Sequence, residues 1–94
     1  MHTCIYSKWH NPPAGLPFEF YSEMDSHRYE TRKIEIFPNG KVGVASSKLS
    51  SSGTQLGLVP VPELDEIRAQ PEFSVKEISA DEFERKWKEF AGRT

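Results

Sequence analysis

The sequence predicts an α+β domain, an antiparallel sheet of about four to five strands packed on a C-terminal α-helix, with one short extra helix. Three stretches predict it. Residues 28–46, RYETRKIEIFPNGKVGVAS, read as two long strands joined by a tight turn, with the apolar side chains on one face. Residues 18–24, FEFYSEM, alternate with the period of a half-buried strand. Near the C-terminus Phe83, Trp87 and Phe90 recur at helical spacing behind a capping signal.

The turn of the long hairpin sets the register beside it. Pro38 suits the second position of a type I turn, Asn39 the third, and Gly40 the left-handed position of a three-residue hairpin loop. That loop pairs Phe37 with Lys41, and then Ile36 with Val42, Glu35 with Gly43 and Ile34 with Val44. A two-residue Asn39-Gly40 turn would match the β-branched residues less well, so the first register is expected. The same reasoning applied to Asp25-Ser26-His27 predicts a three-residue loop pairing Met24 with Arg28 and Phe18 with Ile34. Phe18, Phe20, Ile34, Ile36, Val42 and Val44 would then share the core face, and a one-residue slip would invert the set. The opposite face would carry Glu19, Tyr21, Glu23, Tyr29, Thr31, Lys33 and Glu35 to solvent.

The remaining elements follow in order. Residues 3–9 have strand composition with imperfect alternation, and residues 11–17, NPPAGLP, form a connection broken by three prolines and a glycine. Residues 46–52 contain five serines and read as a mobile loop, with a brief edge-strand return over 54–59. Pro62 starts a short helix whose Glu63, Asp65 and Glu66 suit the positive end of the helix dipole. Leu64 and Ile67 would be its buried contacts, and Pro71 closes it. Ser79 and Glu82 form a capping box with Ile78 and Phe83 in staple spacing. Glu82 with Lys86 and Glu84 with Lys88 are expected as i,i+4 pairs, and Gly92 ends the helix.

Ninety-four residues make one domain, 1–94, without room for a second core. Hydrophobic residues are 36% and aromatic residues 12%, so a few large side chains must dominate the core. The net charge of −2 with interspersed signs argues against nucleic acid as the main partner. The single Cys4 excludes an intramolecular disulfide, no apolar run reaches the roughly 18 residues of a membrane span, and the first ten residues lack a signal-peptide pattern. A cytoplasmic protein, monomeric or homodimeric, is the expectation.

Candidate chemistry is sparse. Cys4, His2, His10 and His27 show no metal-ligand spacing, and neither metal nor cofactor is expected. Cys4 with His10 as base is weighed against a half-buried thiol and an exposed imidazole. The serine-rich loop ending in Gly53-Thr54 lacks the lysine and following helix of a P-loop. Glu19, Glu23 and Asp25 suggest paired carboxylates for acid-base work, or cross-strand ion pairs with Lys33 and Arg28. The polar face bearing Glu19, Tyr21, Glu23, Tyr29, Lys33 and Glu35 is either a protein-binding surface or an ordinary solvated sheet face. A pocket around Trp9, His10, Glu23 and Arg28 is the alternative site, for a small ligand or an enzyme reaction.

Several motifs together resemble a family of small, stand-alone bacterial proteins classed as a domain of unknown function. They are Trp9-His10, Tyr21-Ser22-Glu23 with Asp25 and Arg28, Arg32-Lys33-Ile34-Glu35-Ile36-Phe37 with Gly40, and Ser51-Ser52-Gly53-Thr54 with Leu56-Gly57. Pro60 and Pro62, Glu66-Ile67, Pro71-Glu72-Phe73, and Ile78 with Glu82-Phe83 and Trp87 complete the pattern, which spans nearly the whole chain. The longer serine run and NPPAGLP, where relatives tend to be acidic, depart from it. Some such proteins look like immunity proteins of bacterial toxin systems. The resemblance itself carries no established activity; small size, the absence of a catalytic constellation, mild acidity and the tyrosine-bearing polar face lead to the expectation of a non-enzymatic immunity protein or inhibitor that neutralises a protein partner, a cognate toxin, by direct binding.

Overall fold

The computed structural model describes residues 3–51 and 53–92. His2 and Ser52, weighed above, lie outside them. The order is β1 (Thr3–Trp9), β2 (Glu19–Met24), β3 (Glu30–Ile36), β4 (Val42–Ser46), α1 (Leu64–Arg68), β5 (Phe73–Ile78) and α2 (Ala80–Ala91). The strands form one antiparallel sheet in the order β4-β3-β2-β1-β5, so the first strand lies inside the sheet and the fifth at its edge.

The β3–β4 hairpin has the predicted register, with Ile36 opposite Val42 and Ile34 opposite Val44. Its loop closes through Phe37 N–H to Lys41 O at 2.9 Å and Gly40 N–H to Phe37 O at 2.9 Å, with Gly40 at φ 89°. Only a residue tolerant of the left-handed region fits there without strain. α2 is also as predicted at its start: Ser79 Oγ accepts from Glu82 N–H at 3.0 Å. Ile78 and Phe83, the staple pair, are 7% and 0% exposed and pack in one cluster with Cys4. Gly92 caps the other end at φ −70°, an ordinary helical value.

The β2–β3 register departs from expectation by three residues. The loop is Ser26-His27-Arg28, closed by Asp25 N–H to Tyr29 O at 2.9 Å and Arg28 N–H to Asp25 O at 3.0 Å, the same bonds as in the other hairpin. Arg28, at φ 67°, occupies the place that Gly40 fills there. Moving the loop one position along shifts the register by two and keeps every side chain on its face. The remaining shift is a bulge: Met24 pairs with Glu30 but Glu23 with Arg32, which leaves Thr31 as the extra residue. Its hydroxyl donates to Glu23 O at 3.1 Å and to Glu23 Oε1 at 2.8 Å. That single residue reverses the faces of β2 relative to β3. Tyr21 lies opposite Ile34, in place of the expected Phe18.

The helix therefore covers Ile34, Val42 and Val44 as expected, but together with Tyr21, Tyr6 and Cys4. Phe20 turns to the opposite face beside Ile5. That face is not solvated. The chain between β4 and β5 crosses it, so the domain has three layers: α2, the sheet, and a covering segment that contains α1. Residues 54–59 form no strand, and the fifth strand is Phe73–Ile78 instead. The β4 edge is already occupied, because the serine-rich run folds back on it. Ser51 N–H bonds Val44 O at 2.9 Å, Ser46 N–H bonds Leu49 O at 2.7 Å, and Ala45 bridges Ser50. Leu64 and Ile67 are only half-buried, and α1 is one turn and a half long. Glu84 reaches across to Arg32 of the sheet.

Candidate functional site

The covering segment builds the most distinctive surface of the molecule. Residues 57–62, GLVPVP, form a strap whose two ends are tied to the start of β3 and the loop before it. At one end Gly57 N–H donates to Glu30 Oε1 at 2.6 Å. A β-carbon at Gly57 would stand 3.1 Å from that oxygen, so the glycine permits the close approach. At the other end Arg28 Nε donates to Val61 O at 2.9 Å and Nη2 to Pro62 O at 2.8 Å, while Val61 N–H donates to Arg28 O at 2.8 Å. Nη1 also lies 3.6 Å from Glu63 Oε2. The positive φ of Arg28 aims both its carbonyl and its guanidinium at the strap. The prolines supply fixed φ and carry no N–H that would need a partner.

Between these ties the strap presents its apolar side chains outward: Leu58 is 93% exposed and Val59 71%. Beneath it lies a half-open cavity of about 360 Å³. Ile5, Ser7, Phe20 and Ser22 form its floor on the sheet, Ile67, Gln70 and Phe73 one wall, and Val59, Pro60 and Val61 the rim. Glu30 and Lys33 close the polar end. Lys33 Nζ lies 3.3 Å from Glu30 Oε1 and 3.9 Å from Glu35 Oε2, and donates to Gln55 O at 3.3 Å. Ser22 donates weakly to Glu30 at 3.4 Å. An ammonium between two carboxylates leaves this end net negative.

The helix side of the sheet holds a different polar centre. Arg32 donates from Nε to Glu23 Oε1 at 2.8 Å and from Nη2 to Glu23 Oε2 at 2.7 Å, and Nη2 also meets Glu84. Its guanidinium lies 5.0 Å from the centre of the Phe83 ring and 5.1 Å from that of Trp87. The hydrogen bond to Glu23 is the main reason its pKa rises, against the opposing pull of burial. A bidentate pair at the edge of the core orients both partners.

The predicted interface residues are separated by this fold. Glu19 accepts from Tyr6 Oη at 3.1 Å, Tyr21 packs on Tyr6 and Phe90 at ring separations of 5.0 and 6.3 Å, and Glu23 binds Arg32, all on the helix side. Lys33 lies under the strap, and Glu35 accepts from the buried Thr54 hydroxyl at 2.8 Å. Tyr29, 44% exposed, alone of the six stays open to solvent. The solvent-facing set is thus corrected to Tyr29, because the Thr31 bulge turns β2 over and the covering segment hides Lys33 and Glu35.

The alternative pocket is not assembled either. Trp9 stacks on Phe73 at 5.4 Å and His10 Nε2 meets Ser74 Oγ at 2.6 Å, both where β1 ends. Arg28 adjoins Thr3, where β1 begins, and Glu23 faces the helix. Cys4 is 2% exposed, and burial first, then the Glu23 charge, push its thiol up to about 11. A protonated thiol in the core is a poor nucleophile. Asp25 Oδ1 is taken by His27 and Tyr29 N–H at 2.9 and 3.0 Å, so it shapes the loop. Among the described residues no cluster of three or more metal-ligating side chains occurs.

Strap and cavity went unread in the sequence, although a signal was there. GLVPVP is an apolar run without strand alternation, bounded by a glycine and stiffened by two prolines, and such a run has no sheet to join. Residues 3–92 match the family model described as Domain of unknown function (DUF6881). The chain belongs to that family. The match takes in all five strands, both helices and the strap, so the covering segment is part of the family's unit. No curated protein and no solved structure matches the chain.

Proposed function

We propose that the chain is a non-enzymatic protein-binding domain, an immunity protein or inhibitor that neutralises a bacterial toxin by direct contact in the cytoplasm. The observation that carries the binding role is the outward display of Leu58 and Val59 over an open apolar cavity. Large apolar side chains held in water by a pinned strap cost free energy that a partner recovers on binding. The groups that invite a catalytic reading have structural employment instead: Glu23 is bound by Arg32, the Cys4 thiol is buried, and His10 is hydrogen-bonded to Ser74. Among the described residues no helix is long and apolar enough to cross a membrane. The inhibitory role rests on small size, mild acidity and the motif resemblance.

Co-expression with the product of the adjacent gene tests the reading. The expected result is rescue of growth together with co-purification of the two proteins. Absence of both toxicity and co-purification would overturn it.

A further inference from the structure

We infer that the cavity beneath the strap receives one bulky apolar side chain of a partner segment, and that basic residues flanking that side chain meet the carboxylates around α1. This rests on the protein-binding reading and names the chemistry of its contact.

Size and lining define the inserted group. A half-open space of about 360 Å³ between Ile5, Phe20, Ile67 and Phe73 accepts a phenylalanine, leucine or tryptophan side chain with little rearrangement. The polar end selects against an anion. Lys33, the cation at that end, already has two carboxylates within 4 Å, so an incoming negative group would gain no partner and would face Glu30.

Charge outside the cavity points the same way. Along 63–72 four exposed acids, Glu63, Asp65, Glu66 and Glu72, stand against the one exposed Arg68. Arg68 is 3.6 Å from Asp65, and Glu63 is met by Arg28, so Glu66 and Glu72 carry the uncompensated charge beside the wall made by Ile67 and Phe73. Leu58 decides between a segment and a small molecule. It is 93% exposed and lies outside the cavity lining, where a ligand confined to the cavity leaves it in water, whereas a chain crossing the strap at Val59 covers it.

The experiment is an NMR titration of the ¹⁵N-labelled protein with three amidated pentapeptides, KKFKK, KKAKK and EEFEE, and with indole alone. KKFKK is expected to shift the amides of Gly57, Val59, Ile67 and Gln70 saturably, at least about tenfold more tightly than the other probes. Val59→Glu, on an exposed side chain, should abolish those shifts while leaving the rest of the spectrum unchanged. Equal affinity of KKAKK would reduce the contact to charge alone, equal affinity of indole would make the cavity a small-molecule site, and shifts elsewhere would move the contact. Each of these overturns the inference. A natural partner that co-purifies with Val59→Glu as well as with the unaltered chain overturns this location but not the binding function; no partner for the unaltered chain overturns the function itself.

Discussion

Arg32 shows how much one side chain decides here. It ties β2 to β3 through Glu23, ties the sheet to α2 through Glu84, and lies over two aromatic rings of the helix. Arg32→Met would remove the bidentate charge partner of the Glu23 carboxylate, whose side chain is 14% exposed, and should cost about 3 kcal/mol in urea unfolding. Arg32→Lys should recover less than half of that loss, because a lysine offers no fork to match the carboxylate. Cys4 and Tyr6 make a prediction about pH. Burial raises the thiol from 9.0 to about 11, and burial with the neighbouring Glu19 raises the phenol from 10.0 to about 12. Both groups are held protonated by the fold, so their stabilisation is complete below the unfolded values and disappears as pH rises through the folded ones. The unfolding free energy from urea titrations should fall from pH 9 onward, by about 2 to 3 kcal/mol for the thiol by pH 11. Cys4→Ala should start lower and fall less steeply over that interval. An identical slope in the variant would mean that the thiol is not held in the core.

At the scale of elements, the two hairpins are built on one loop geometry and used differently. Gly40 closes the β3–β4 loop at no steric cost, whereas Arg28 accepts the left-handed conformation in order to hold the strap. Arg28→Gly should relieve about 1 kcal/mol of backbone strain while removing charge-assisted hydrogen bonds worth about 1.5 to 3 kcal/mol each, and the loss falls on the strap. Overall stability should fall by about 2 kcal/mol or more, the balance of these contributions, and amide exchange at Val61 and limited proteolysis within 57–62 should accelerate strongly. Unaltered protection there would show that the strap is held by its prolines alone. Gly43 illustrates the other use of glycine. A β-carbon there would stand 2.0 Å from Thr54 Oγ1 and 3.1 Å from Ser51 O, because the segment after β4 folds directly onto that strand. Gly43→Ala should destabilise by about 1 to 3 kcal/mol in thermal melting, through overpacking rather than through φ.

For the whole molecule, the sheet is covered on both sides, and the Thr31 bulge determines which residues go under which layer. Tyr21 and Tyr29 separate this arrangement from one with an open polar face. Tyr21→Ala removes a ring packed between Tyr6 and Phe90 and should cost about 3 kcal/mol. Tyr29→Ala, at an exposed position, should stay within about 0.5 kcal/mol. Comparable losses from both would contradict the observed register. Four of the five strands, the β3–β4 register and the capped C-terminal helix are legible in the sequence, because each is specified by neighbours in the chain. Turn chemistry at Pro38-Asn39-Gly40 and the Ser79 cap act over a few residues, and hydrophobic period acts along one element. The fifth strand was hidden because an edge strand whose residues are largely exposed carries a weak pattern.

The α+β class, the core stripe of Phe83, Trp87 and Phe90 and the pairing of Ile34 with Val44 were thus determined by the sequence by itself. The tertiary structure decided which face of β2 meets that stripe, what covers the other face, and where apolar side chains are left in water. A bulge changes side-chain direction by one residue without changing composition. A strap is pinned by Glu30 and Arg28, residues roughly thirty positions earlier in the chain. Neither leaves a periodic trace, so the surface bearing Leu58 and Val59 exists only once distant parts of the chain have met.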